Sequence, residues 1–261
     1  RVDTLRVFHR VDEGRERERL VALTGPVREV IRDGRRVMCF GTGDEPIAYE
    51  IAPDGRWSPA IAVSEAAGRE GYAARLAGDA RMAGRPVRRI DVLAADGWRY
   101  GYRLWLDRET GLPLRVDLLD DGGRTLEQVA FADIAIGQRP SDEDLAPSTA
   151  GLMVPPRPLP ATSARAPAWQ VATLPPGFRL RAAKPLPEGG AHLLYSDGLA
   201  SVSVYVEPAP AALRGGSQRQ RGAVHARSFW MDGWQVMAIG KVPAATVDHF
   251  ARNLRALPAD G

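Results

Sequence analysis

Four histidines (His9, His192, His225 and His249), a single cysteine at position 39 and the acidic run Asp142, Glu143 and Asp144 are the side chains best suited to binding metals, moving protons or attacking carbonyls. None stands in a catalytic pattern. Zinc hydrolysis draws on two imidazoles one helical turn apart, as in His-Glu-x-x-His, and these four histidines are scattered. A serine hydrolase would show a Gly-x-Ser-x-Gly elbow and a thiol enzyme a local signature around its cysteine; neither occurs. The phosphate-cradling Gly-x-x-x-x-Gly-Lys loop and the dinucleotide fingerprint are also missing, and the acidic run lacks the spacing of a calcium loop. With one cysteine the chain can form neither an intramolecular disulfide nor a multi-cysteine zinc site, and Cys39, within Arg36-Val-Met-Cys-Phe40, is expected to be a small buried thiol. The expectation is a protein with no catalytic residues, no metal and no cofactor. The competing reading is a hydrolase whose groups meet only in space, which would require a cleft holding a carboxylate or histidine of shifted pKa.

Side chains suited to binding are more plentiful. In Trp98-Arg-Tyr-Gly-Tyr-Arg-Leu-Trp-Leu106 the alternation puts Trp98, Tyr100, Tyr102, Leu104 and Leu106 on one face and Arg99, Arg103 and Trp105 on the other. Such an apolar row can accept acyl chains, each buried methylene contributing about 0.8 kcal/mol, or can simply pack beneath other elements. Arg99 and Arg103 are expected to be solvated or paired with carboxylates of a neighbouring strand. Further on, Val202, Val204 and Val206 define an apolar face, and Tyr195, Ser201, Ser203 and Tyr205 are expected off it, free to meet a partner peptide or only solvent.

The charge balance narrows the partners. Residues 169–261 carry ten basic against six acidic side chains, whereas residues 1–137 carry 22 against 23, so the excess is C-terminal. It is too mild for the concentrated basic stripe of a nucleic-acid binder, and suits an acidic protein segment or an anionic lipid head group. Only two of the 35 basic residues are lysine, a bias read as genome composition.

Holding these rows in place calls for strands. A chain of 261 residues suggests two modest domains, and seven prolines between residues 140 and 167 mark a semi-rigid connector over residues 138–168, with at most a helical turn near Ser141 to Asp144. Residues 1–137 then form one domain and residues 169–261 another. In the first, Leu5 to Val11 alternate, Val27–Ile31 and Arg36–Phe40 flank the turn-former Asp33-Gly34, and residues 98–106 pair with Leu112 to Leu118 as a long hairpin. Residues 64–78, rich in alanine, read as a helix weakened by glycines. In the second, hairpins at 192–207 and 224–240 predict a four-stranded antiparallel sheet, crossed by a helix starting near Pro243 whose stripe is Val247, Phe250, Leu254 and Leu257. No stretch approaches the roughly 20 apolar residues of a membrane-spanning helix.

Several segments carry a family resemblance. Arg99-Tyr-Gly-Tyr-Arg-Leu-Trp-Leu-Asp107, Thr110-Gly-Leu-Pro-Leu114, Leu174-Pro-Pro-Gly-Phe178 and Tyr195-Ser-Asp-Gly-Leu-Ala-Ser-Val-Ser-Val204 resemble the RseB/MucB family of sigma-E regulatory proteins, and Glu18-Arg-Leu20, Leu23-Thr-Gly25 and Arg28-Glu-Val30 are similar to it too. The resemblance implies a mainly β (α+β) protein: an N-terminal half-open antiparallel β-barrel with covering helices, LolA/LolB-like, and a smaller C-terminal sheet with one packed helix. It implies a non-enzymatic periplasmic regulator that binds the periplasmic segment of an anti-sigma factor, RseA or MucA, shields it from site-1 proteolysis and is displaced by lipopolysaccharide or a related acyl lipid. On that reading Trp98, Tyr100, Tyr102, Leu104 and Leu106 meet lipid, and Tyr195, Ser201, Ser203 and Tyr205 meet the partner. A periplasmic lipid or lipoprotein chaperone of LolA type is the alternative, and self-association into a homo-oligomer is left open. Family members have a signal peptide, a helix and an opening strand before the point matching Arg1, so part of the barrel is expected to precede this sequence.

Overall fold

The computed structural model describes residues 3–41, 47–50, 70–148, 168–209 and 215–257, and they are mainly β. Two compact units emerge: Arg1–Trp57 with Ala135–Ala161, and Ser58–Ile134 with Thr162–Gly261. No helix among the described residues is long and apolar enough to cross a membrane.

The first unit is an antiparallel meander of β1 (Leu5–Asp12), β2 (Arg15–Ala22), β3 (Arg28–Asp33), β4 (Arg36–Gly41) and β5 (Ile47–Glu50), paired in chain order. Its turns are short because the chain can enter the left-handed region there: Glu13 and Gly14 have φ 49° and 82°, and Gly34 has φ 60° between the paired residues Asp33 and Arg36. Arginine straps the segment after Arg139 onto this sheet. Arg10 and Arg17 both bond Asp142, and Arg19 bonds Glu29, the Asp144 carbonyl and Ser148. The expected turn near Ser141 to Asp144 is present, closed by a hydrogen bond from the Ala146 N–H to the Glu143 carbonyl. Of the proline-rich connector, residues 149–167 lie outside the described residues. Cys39 is half-buried.

The second unit holds two larger sheets. One is a meander of β6 (Tyr72–Met82), β7 (Arg85–Ala94), β8 (Gly101–Asp107), β9 (Pro113–Leu119) and β10 (Thr125–Ala130). The other contains β12 (Arg179–Pro185), β13 (Ala191–Ser196), β14 (Ser201–Pro208), β15 (Ser217–Arg221), β16 (Val224–Met231) and β17 (Trp234–Gly240), in the order β12-β13-β14-β17-β16-β15. A short pair, β11 (Trp169–Val171) with β18 (Leu254–Ala256), and the helix α1 (Ala244–Arg252) complete it. The core is the inner face of the six-stranded sheet: Leu193, Val202, Val204, Val206, Val236 and Ala238 pack with Val247 and Phe250 of the helix, all 1% exposed or less. Burying each such valine, leucine or phenylalanine stabilises by about 1.5–3 kcal/mol.

Four expectations require correction. Residues 72–78 are strand, not helix, and 64–69 lie outside the described residues. The alanines of β6 sit on an edge strand exposed along most of its length, so no apolar alternation marks it, and ten residues of pairing with β7 override the helical preference of alanine. The covering helices implied by the family are not evident among the described residues, where the one α-helix packs on the C-terminal sheet. That sheet has six strands rather than four, because the polar edge strand β15 and the largely exposed β12 flank the two hairpins. Finally, α1 ends at Arg252, capped by Asn253, and Leu254 reaches the core from β18 instead of from the helical stripe.

Candidate functional site

The site is built around Arg99. Its side chain is fully buried within the second unit, so each of its five N–H donors needs a partner. Nη1 donates to Asp197 Oδ2 at 2.7 Å and to the Glu70 carbonyl at 3.2 Å, Nη2 to the Pro176 carbonyl, and Nε to Asp96 Oδ1 at 3.1 Å. The rings of Tyr72 and Phe178 lie over the guanidinium, 5.3 and 5.1 Å from ring centre to Cζ. Tyr72 also donates its hydroxyl to Asp197 Oδ2 at 3.2 Å, and burial, then the Asp197 charge, pushes the phenol far above its ordinary pKa. Asp197 keeps its second oxygen for its own turn, where Oδ1 accepts from the N–H groups of Leu199 and Ala200 at 2.8 and 2.7 Å. Two glycines make room for the cation: a Cβ at Gly71 would stand 2.5 Å from Arg99 Cζ, and one at Gly177 would meet the Glu70 carbonyl at 3.3 Å and Arg99 Nη1 at 3.5 Å. Both have positive φ, near 80°, so glycine is required there on two counts.

Three segments on which the family resemblance rests thus meet at one guanidinium: Arg99 itself, the Pro175-Pro-Gly-Phe178 turn and the Asp197-Gly198 turn. The pair ties the sheet containing β8 to the turn between β13 and β14. Removing one member of such a buried pair typically costs about 3–5 kcal/mol, since the other charge is left in a low-dielectric interior.

Around this node lies the aromatic row singled out for lipid. Trp98 is half-buried against α1, 4.7 Å from the His249 ring, and its carbonyl accepts from Thr246 Oγ1 at 2.8 Å. Tyr100 is buried with Leu118 and with Ala223 from the turn before β16. Tyr102 joins both that cluster and a second one, in which Tyr72, Val92 and Leu104 are buried and Ile90, Leu106, Val116 and Leu199 are packed. Burial raises the Tyr102 phenol to about 12. Tyr100, Tyr102, Leu104 and Leu106 are therefore brought together in two adjoining clusters, whereas Trp98, which like Tyr100 precedes β8, lies apart from them under the helix, and Leu106 is only half-buried. On the reverse face Arg103 pairs with Asp91 directly across the ladder at 2.7 Å, as expected for a neighbouring-strand carboxylate. Asp91 is buried, which raises its pKa, but hydrogen bonds from Arg103 and Arg75 outweigh that and the net shift is downward. Arg99 departs from expectation. It precedes β8, off the ladder, and is gathered inward.

The residues singled out for a partner separate. Ser201, Ser203 and Tyr205 project from the face of β14 opposite the valines and away from α1. Ser201 is exposed and the other two half-buried. Tyr205 stacks on His192 at 4.2 Å with rings nearly parallel, and His192 Nε2 lies 3.1 Å from Ser203 Oγ. Burial, then Lys184, lowers the His192 pKa, which favours the neutral imidazole. Met237, 37% exposed, pairs with Tyr205 across the ladder and extends this surface. Tyr195 does not belong to it. The Asp197–Ala200 turn sets Tyr195 opposite Val202, and paired residues share a face, so Tyr195 points into the core, 2% exposed, its hydroxyl accepting from the Val171 N–H at 2.9 Å.

Residues 1–149 match the MucB/RseB N-terminal domain and residues 163–255 the MucB/RseB C-terminal domain. The sigma factor AlgU regulatory protein MucB of Pseudomonas aeruginosa is 35% identical, over 97% of this chain and 81% of that protein. The sigma-E factor regulatory protein RseB of Escherichia coli K12 is 31% identical with the same coverage. Among solved structures, the Pseudomonas aeruginosa MucA/MucB complex superposes with a TM-score of 0.78 at 34% identity, over 98% of this chain and 89% of that one.

Proposed function

The chain belongs to the MucB/RseB family, and from that premise we propose that it is a periplasmic negative regulator of an envelope-stress sigma factor. It holds the periplasmic segment of an anti-sigma factor of RseA or MucA type, shields that segment from the first protease, and lets go when lipopolysaccharide or a related acyl lipid binds. The domains follow the same scheme: a lipid-sensing domain at 1–137, a connector at 138–168 and a partner-binding domain at 169–261. Ser201, Ser203 and Tyr205, with the stacked His192, are the partner surface, and the half-buried Leu106 end of the row is where an acyl chain first makes contact.

One observation carries this reading. The row proposed for lipid and the β13–β14 turn beside the proposed partner surface share a single buried network through Arg99, Tyr72 and Asp197. A lipid can release a partner only if the two prefer different conformations, and an acyl chain pushing under Tyr102 and Leu104 has to displace the Leu199 turn that Asp197 holds. The test is binding of the purified chain to an anti-sigma periplasmic peptide with and without lipopolysaccharide fragments. Tight binding that weakens at least tenfold with lipid supports the proposal; an unchanged affinity, or no binding, refutes it.

A further inference from the structure

We infer that the β1–β2 hairpin carries a site for a divalent transition-metal ion of zinc type, with His9, Glu16 and Glu18 as its protein ligands. The backbone register places them together. His9 and Glu18 face each other across the β1–β2 ladder, and Glu16, two residues before Glu18, is on the same face of the pleat. Their ligating atoms, one imidazole nitrogen and a carboxylate oxygen from each glutamate, all lie within 4.8 Å of one another, and His9 Nε2 is 3.3 Å from Glu16 Oε1. A cation between them would draw the three atoms in by a fraction of an ångström to about 2.0–2.2 Å each.

Further features suit a metal. Glu18 Oε2 is buried without a hydrogen-bond partner, and its neighbouring cation, Arg32 Nη1, stands off at 3.8 Å. Arg32 Nη2 bonds the other oxygen of Glu16, Oε2, at 2.8 Å and leaves Oε1 turned to His9. That is the part an outer-shell donor plays in orienting a ligating carboxylate. Two carboxylates against one guanidinium leave the pocket a net negative charge that a dication reverses. With about half of the His9 side chain exposed, an ion can reach the site from solvent and water can fill the remaining positions. One imidazole with two carboxylates suits zinc over calcium or magnesium, which take oxygen ligands alone.

Equilibrium dialysis of the untagged full chain against zinc chloride, with calcium chloride as the second arm, tests this. The expected result is one zinc ion per chain, no calcium at the same concentration, and at least a tenfold loss of zinc affinity in both His9→Ala and Glu18→Gln. His225→Ala, whose histidine lies in the other unit, is expected to bind as the parent does. His9 is exposed, so circular dichroism of His9→Ala should match the parent and separate lost ligation from lost folding. No saturable zinc binding by the parent, or His9→Ala and Glu18→Gln binding as tightly as the parent, overturns the inference.

Discussion

Both compact units pair arginines with carboxylates on strand faces, but the second adds one arginine, Arg99, that is sealed inside. In the first, arginine lies on strand faces and reaches carboxylates that the hairpin register or a nearby strap presents: Arg15 to Asp33, Arg17 to Asp142, Arg32 to Glu16. Most of these pairs remain partly in water. In the second unit, the Arg99 side chain is fully buried and collects partners from four separate stretches of chain, at Glu70, Asp96, Pro176 and Asp197. Exposed pairs tune a surface and are worth little individually, whereas a buried, fully bonded cation fixes which segments must be together. The contrast implies that losing an exposed charge such as Arg15 of the first unit is tolerated and losing Arg99 of the second is not.

The sharpest way to break that comparison is Arg99→Ala. It takes the guanidinium away from the buried Asp197 carboxylate and opens a cavity beneath Tyr72 and Phe178, and is expected to destabilise the second unit by about 3–5 kcal/mol, read as a lowered urea midpoint in tryptophan fluorescence. Next in size is Tyr205→Asp, which adds a charge to the half-buried surface beside His192 without touching the core. Its affinity for an anti-sigma peptide should fall at least tenfold by calorimetry, with the urea midpoint kept.

A pH series gives a smaller and signed effect. Hydrogen bonds from Arg85 first, against an upward push from burial, hold the Asp107 carboxyl far below its ordinary range. A depressed folded-state pKa contributes stability that is present above the unfolded carboxylate pKa and lost as pH falls below it. Wild type should therefore be more stable than Asp107→Asn at pH 7, and the gap between their urea midpoints should narrow by pH 3. Glu18 runs the other way. Its pKa is raised, so its contribution is present below the unfolded value and lost as pH rises through the folded one, and Glu18→Gln should gain on wild type between pH 4 and 7. Smallest of all is Arg15→Ala, where the arginine side chain is 65% exposed: no measurable change in urea midpoint is expected.

Much of the fold could be read from the sequence wherever structure is local. The Asp33-Gly34 turn, the hairpin of β8 and β9, the buried valines of β14 and the start of α1 each follow from side-chain period or turn chemistry within a dozen residues. The misreadings have non-local causes. β6 is a strand because β7 pairs with it, whatever its alanines prefer, and Tyr195 faces inward because the turn ending at Ala200 sets its register. Arg99 looked like one more outward position on an alternating strand, yet β8 begins only at Gly101. The available hint was glycine: Gly71 and Gly177 accommodate the guanidinium, but only the fold shows what they make room for. His9 and Glu18 could have been paired by folding the sequence about Glu13-Gly14, a turn that composition alone does not announce.

The account depends most on Arg99 and Asp197 linking the lipid row to the partner surface. Asp197→Asn is the variant to use, because an amide oxygen can still accept from Leu199 and Ala200 while the charge facing Arg99 is gone. The measurement is the factor by which a lipopolysaccharide fragment weakens anti-sigma peptide binding, in wild type and in Asp197→Asn. At least tenfold in the former and under threefold in the latter is the predicted result; the same factor in both would contradict it.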